Sequence, residues 1–136
     1  MIRTAQPDDL PALLALEEQA FPGDRLCARQ FRRFMRSDTS HLLVDEQQEQ
    51  LAGYALLLVH HRTHLASLYS LAVNPQFRQR GIGRNLLQAC EHLALEQGYL
   101  TLRLEVRQDN QGARHLYEQA GYRPIRILAH YYDDAA

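Results

Sequence analysis

The sequence predicts a mixed α/β (α+β) fold, with a mostly antiparallel sheet in its first half and a βαβα unit behind it. Three observations carry this. Apolar, strand-like runs recur at 41–44, 51–59 and 65–73. A basic glycine turn then opens a long amphipathic helix, and a period-two strand follows with one more helix behind it.

Ile2 to Ala5 reads as a short first strand, after which Asp8 or Asp9 can cap a helix that buries Leu10, Leu13, Leu14 and Leu16. That helix ends near Phe21-Pro22-Gly23. A second helix is expected over Ala28 to Arg36, with Phe31, Phe34 and Met35 as its apolar stripe. His41 to Val44 and Leu51 to Val59 read as paired strands joined by the polar turn Asp45 to Gln50, and Leu65 to Val73 as a third long strand. Beyond the turn, Leu86, Leu87, Cys90, Leu93 and Ala94 repeat at helical spacing up to a stop at Gly98. Leu100, Leu102, Leu104 and Val106 alternate with Thr101, Arg103, Glu105 and Arg107, so this strand buries one face and turns a polar face to a groove. Asn110 or Gln111 begins a last helix stopped at Gly121, with an apolar strand from Tyr122 to follow.

A chain of 136 residues fits one domain, 1–136. Its net charge of −1 argues against a general nucleic-acid binder. Cys27 and Cys90 lie far apart, in no metal or redox spacing, which suits a reduced, cytoplasmic protein. No apolar run approaches a membrane span and no signal-peptide core opens the chain, so no membrane partner is expected.

The most informative segment is Val73 to Arg84. Two glycines let the backbone turn and bring N–H groups against an anion, while the following helix N-terminus adds partial positive charge. A Rossmann turn needs a third small residue where Asn85 and Leu86 stand, and a P-loop needs a lysine, of which the chain has none. The turn predicts a phosphorylated cofactor of another kind.

Arg78-x-x-Gly81-x-Gly83 resembles the pyrophosphate-binding motif of the GNAT superfamily of acyl-CoA-dependent N-acyltransferases. The likeness covers most of the chain. Leu71-Ala72-Val73-Asn74-Pro75 is similar to the strand before that motif, and Leu104-Glu105-Val106-Arg107-x-x-Asn110 with Leu116-Tyr117-x-x-x-Gly121-Tyr122 to its downstream half. Ala20-Phe21-Pro22 and Tyr131-Tyr132 resemble the ribosomal-protein-alanine N-acetyltransferase-like branch. Gly23-Asp24 departs from that branch, which carries an aromatic directly after Phe-Pro.

The resemblance implies a sheet splayed between its fourth and fifth strands, with acetyl-CoA as donor. Main-chain groups around Leu71, Ala72 and Val73 would hold the pantetheine arm as an added pseudo-strand. Arg78, Gln79, Arg80, Gly81, Ile82, Gly83 and Arg84 would grip the pyrophosphate, with Asn110 and Tyr117 helping to hold the arm. The family usually continues past the Tyr-Tyr pair into a seventh strand. This sequence stops at Asp133 to Ala136, so the last strand is expected to be missing or completed by a neighbouring subunit in a homodimer.

Acetyl transfer needs a neutral amine. A peptide α-ammonium, with a pKa of about 8, is easier to deprotonate than a lysine side chain at about 10.4. The resemblance assigns the base to Glu105 and the acid at the departing sulfur to Tyr117; an ordinary glutamate near 4.3 would need burial or a water relay. Residue by residue, the plainer readings are a Glu105 paired with Arg103 or Arg107 and a Tyr117 that is simply core. His60, His61 and His64 read as a hairpin loop rather than a metal site, and no metal is expected. Arg25 to Arg36 reads as a charged helix face at the acceptor rim, favouring an acidic acceptor, with RNA the lesser reading. The expected function is transfer of acetyl to a primary amine, foremost a protein or peptide N-terminus. A small-molecule amine or amino acid is the alternative acceptor, and a non-catalytic CoA-binding regulatory module the alternative of another class.

Overall fold

A computed structural model describes residues 1–21, 23, 25–105 and 111–122, the side chains of 111–114 excepted. Five strands form one sheet in the order β1-β2-β3-β4-β5: β1 Ile2–Thr4, β2 Ser40–Gln47, β3 Gln50–His60, β4 Leu65–Val73 and β5 Thr101–Leu104. The first four pair antiparallel, and β5 joins β4 in parallel. A parallel neighbour requires a crossover, which is supplied by helix α3, Ile82–Glu96.

Helices cover both faces. α1 (Leu10–Ala20) and α2 (Ala28–Arg36) close one core, in which Leu13, Leu16, Phe31, Tyr54 and Tyr69 are buried. α3 closes the other with Leu86, Leu87 and Cys90, and α4 (Gln111–Gln119) adds Tyr117 there. Strand alternation divides β3 between the two layers: Ala55 and Leu57 go to the α3 side, Tyr54 and Leu56 to the α1/α2 side.

The structure corrects several sequence expectations. Neither Asp8 nor Asp9 caps α1 by its side chain; Pro7–Asp9 is a 3-10 turn, and the Asp9 carboxylate is held by Arg3 at 2.8 Å and by the Gln6 N–H at 2.7 Å. The β2–β3 turn is confined to Gln48 and Glu49, both at positive φ. Asp45 is instead a buried strand residue that accepts from Gln47 at 2.8 Å and from the Met1 ammonium at 2.9 Å. Leu100 is 87 % exposed, because β5 starts one residue after it. Asn110, the rest of the expected fifth strand, and the strand after Tyr122 lie outside the described residues.

Candidate active site

The described pairing between β4 and β5 is short. Their register runs from Leu65↔Thr101 to Leu68↔Leu104, and the Glu105 N–H then donates to the Leu68 carbonyl at 3.1 Å. No described residue pairs with β4 on that side beyond Leu68.

At the same point β4 carries a bulge. Leu57 pairs with Leu68 but Leu56 pairs with Ser70, so Tyr69 is an extra residue. Beyond it the Asn74 N–H donates to the Ala52 carbonyl on β3 at 2.7 Å. Counting back from that bond by strand alternation, Ser70 and Ala72 turn their peptide groups to β3, while Leu71 and Val73 turn theirs to the open edge. Were the same residues to run on from Leu68 in regular alternation, with Tyr69 not bulged, the parity would be opposite. The bulge also puts Tyr69 and Ser70 on the α1/α2 side together: Tyr69 meets Phe34 with ring centroids 6.1 Å apart, and Ser70 shares a 2.7 Å hydrogen bond with the Tyr54 hydroxyl.

The open edge leads into the basic turn. Asn74, which the sequence reading left without a role, shapes its start by accepting from the Gln76 N–H at 3.0 Å and donating to the Leu51 carbonyl at 3.3 Å. Phe77 buries its ring in the α3-side core, and the Arg80 guanidinium stacks over that ring at 5.2 Å. Gln79 and Gly81 both take left-handed backbone, φ 63° and 77°.

Helix α3 begins without a side-chain cap, and its first backbone bond is from the Asn85 N–H to the Gly81 carbonyl at 2.9 Å. The N–H groups of Gly81, Ile82, Gly83 and Arg84 therefore have no intrahelical acceptor. They gather at the positive end of the helix dipole, an arrangement suited to an anion. Arg78, Arg80 and Arg84 are exposed around them, whereas Ile82 is buried.

The two glycines have different reasons. Gly81 supplies positive φ in open space. A Cβ on Gly83 would lie 3.1 Å from Leu116 Cδ2 and 3.5 Å from Val73 Cγ2, so Gly83 allows α3, α4 and the end of β4 to pack closely. That packing brings the turn, the open edge and α4 to one place.

Glu105 sits at the other end of the edge. From Leu68 to Val73 is five residue steps, roughly 16 Å of extended strand at about 3.3 Å each. The Glu105 side chain is 12 % exposed, and Arg103 Nη2 is 3.2 Å from its Oε1. Burial pushes its carboxyl up to about 7, against the pull of the Arg103 charge. Leu102 and Leu104 pack toward the α3 layer, so Arg103 and Glu105 face the α1/α2 side of the sheet.

Tyr117 is 5 % exposed in the α3-side core. Burial, and the neighbouring Cys90 and Tyr122, raise its phenol well above the ordinary range and keep it protonated. Its plainer reading as a core residue describes its surroundings, one step from the Leu116 that packs over Gly83.

On the opposite layer Arg25, Arg29, Arg32, Arg33 and Arg36 are all exposed. Arg25 Nε donates to the Phe21 carbonyl at 2.6 Å and Arg33 lies over Phe34 at 5.3 Å. The His61 ring shares a 2.7 Å hydrogen bond with the Tyr99 hydroxyl. Among the described residues no group of three or more His, Cys, Asp or Glu could hold a metal, and no helix is long and apolar enough to cross a membrane.

A mixed sheet with an open β4 edge and a donor-rich turn at the head of its crossover helix defines the CoA-dependent acyltransferase class of α/β fold. The chain belongs to the GNAT acetyltransferase family, whose sequence profile matches residues 10–122, and is accordingly an acetyl-CoA-dependent N-acetyltransferase. It is 35 % identical over 134 residues to the [ribosomal protein bS18]-alanine N-acetyltransferase of Salmonella typhimurium, covering 93 % of this chain and 83 % of that one. The Escherichia coli enzyme of the same description is 33 % identical over 138 residues, covering 96 % and 86 %. The crystal structure of the ribosomal-protein-S18-alanine N-acetyltransferase from Escherichia coli superposes with a TM-score of 0.79 at 28 % identity, over 93 % of this chain and 79 % of that one. An aminoglycoside acetyltransferase from a soil metagenome shares the fold, with a TM-score of 0.79 at 19 % identity over 94 % and 91 %.

Proposed function

We propose that this acetyltransferase acts on the α-amine of a protein or peptide N-terminus, with Glu105 as general base and Tyr117 as hydrogen-bond donor to the leaving sulfur. The observation that carries the reading is Glu105 at the end of the β4–β5 register with its carboxyl raised to about 7. A base at that value can take a proton from an α-ammonium near 8 at little cost, whereas a lysine ammonium near 10.4 asks for a transfer of more than three units. The 33–35 % identity to enzymes described as acting on the alanine of ribosomal protein bS18 supports the same acceptor class.

In this mechanism acetyl-CoA lies along the open edge, its arm bonded to the peptide groups of Leu71 and Val73 and its pyrophosphate on the N–H groups of 81–84. The amine gives a proton to Glu105 and its nitrogen attacks the thioester carbonyl carbon. The C–S bond then breaks, the electron pair leaves on sulfur, and the second proton shed by the nitrogen neutralises the departing thiolate. With its pKa raised so far, Tyr117 stabilises that thiolate by donating a hydrogen bond rather than by surrendering its proton outright. The reading carries with it a cytoplasmic setting and one catalytic domain.

Mass spectrometry of a panel of N-terminal peptides and small primary amines incubated with acetyl-CoA tests this, with Glu105→Gln as control. Peptide α-amine products lost in the control support it. Products on small amines alone would move the acceptor to metabolites, and stabilisation by acetyl-CoA without any product would leave a binding module.

A further inference from the structure

Among the described residues the mechanism leaves two buried carboxylates unused, Asp45 at the N-terminus and Glu17 beneath the acceptor side. Glu17 is 1 % exposed in α1, on the helix face it shares with Leu13. A charge in such a layer is tolerated only when fully hydrogen-bonded. Glu17 Oε2 accepts the Leu26 N–H at 2.7 Å, and Oε1 accepts the Tyr54 hydroxyl. The same hydroxyl shares its 2.7 Å bond with Ser70 Oγ in the β4 bulge. The Tyr54 hydroxyl donates its single proton to Glu17, which leaves Ser70 as the donor to Tyr54.

The chain Ser70→Tyr54→Glu17←Leu26 thus joins the β4 bulge to residue 26, just before α2 begins. Phe31 of α2 stands edge-on to Tyr54, with centroids 5.7 Å apart and planes at 82°, so the helix follows the same anchor. These groups share with Glu105 the α1/α2 side of the sheet. The turn at 78–84 opens the helix of the other layer.

We propose that Glu17 is a positioning residue for the acceptor: it fixes Leu26 and α2 against the β4 bulge, and so sets the acceptor side of the site independently of the acetyl-CoA side. The kinetic part of this proposal rests on the acetyl-transfer reading. Glu17→Gln keeps the volume but gives Tyr54 a donor in place of an acceptor, reversing the direction of the chain. Tyr54→Phe removes the link.

Each variant should raise the acceptor KM by about ten-fold while the acetyl-CoA KM and kcat change by less than about two-fold. The double variant should be no worse than either single one, since both break one chain. Equal movement of both KM values, a loss confined to kcat, or additive effects would overturn the proposal. Hydrogen exchange at the Leu26 amide supplies a readout that needs no turnover. Protection in the parent protein should be lost in Glu17→Leu, and unchanged protection would reject the anchor even if the parent transferred acetyl to nothing tested. An inactive parent with the expected exchange pattern would count against the acetyl-transfer reading alone.

Discussion

The Glu105 N–H donates to the Leu68 carbonyl across 3.1 Å, and the half-buried carboxylate of the same residue stands at the end of the β4–β5 register. One residue both makes the last described bond between the two strands and places a titratable group beside it. Since burial raises that carboxyl to about 7, kcat/KM should fall as pH drops through 7. Arg103→Ala removes a charge that favours the carboxylate, so the acid limb should move to higher pH. A pH–rate profile of both proteins checks this.

The same raised value has a sign for stability. The folded chain retains a proton on Glu105 that the unfolded chain releases near 4.5, so the stability linked to the protonated form is full below 4.5 and lost as pH rises through 7. Glu105→Gln cannot ionise. Its melting temperature relative to the parent should rise between about pH 5 and about pH 8, while activity falls by about a hundred-fold or more. If Glu105 served mainly to pair with Arg103, the variant would lose stability over that range instead.

Tyr117→Phe removes a hydroxyl and keeps the ring that fills the α3-side core. Activity should fall by about ten-fold or more, with acetyl-CoA affinity and folding largely retained. The parent should show no alkaline loss of activity from this phenol, because burial holds its pKa above the working range. Steady-state kinetics beside a thermal melt separates catalysis from packing.

Gly53 and Gly83 predict different penalties. A Cβ on Gly53 would stand 2.7 Å from the Ala72 carbonyl oxygen, a backbone atom, so Gly53→Ala should cost about 2–3 kcal/mol. At Gly83 the nearest atom is the flexible end of Leu116, at 3.1 Å, and the cost should be about 1 kcal/mol. Denaturant titration ranks the two, and the ranking should reverse for acetyl-CoA binding, where only Gly83 borders the turn.

The exposed arginines of α2 recur at 29, 32, 33 and 36, one stripe of the helix. Replacing Arg29, Arg32 and Arg33 by alanine should raise the KM of acidic acceptor peptides and leave that of neutral ones unchanged, an effect that fades with salt. Unchanged acceptor kinetics would reduce the stripe to a solvated face.

Much of this was legible in the chain. The α2 stripe and the apolar run of β4 gave Ala28–Arg36 and Leu65–Val73 with their observed ends, because periodicity and flanking polar residues agreed there. Glycine spacing located the turn but not the separate purpose of Gly83, which depends on Leu116 arriving from α4. Leu100 fitted the alternation and is nevertheless exposed, since a pattern does not say where pairing starts. Glu17, beside Glu18, reads as solvent-facing. Only its position four residues after Leu13 hints at burial, and its partners Leu26 and Tyr54 come from distant segments. The Tyr69 bulge leaves no mark in the mostly apolar run Leu65 to Val73.

That bulge makes chain length, rather than residue identity, the information at the open edge. If the pantetheine arm is read by the peptide groups of Leu71 and Val73, exchanging those side chains for other apolar ones should be survivable. Deleting Leu71 would instead turn the Asn74 N–H away from Ala52 and put the turn that follows out of register, whereas deleting Tyr69 would only remove the bulge. A mutational survey of this enzyme should therefore find β4 forgiving of substitutions and intolerant of a single-residue deletion after the bulge.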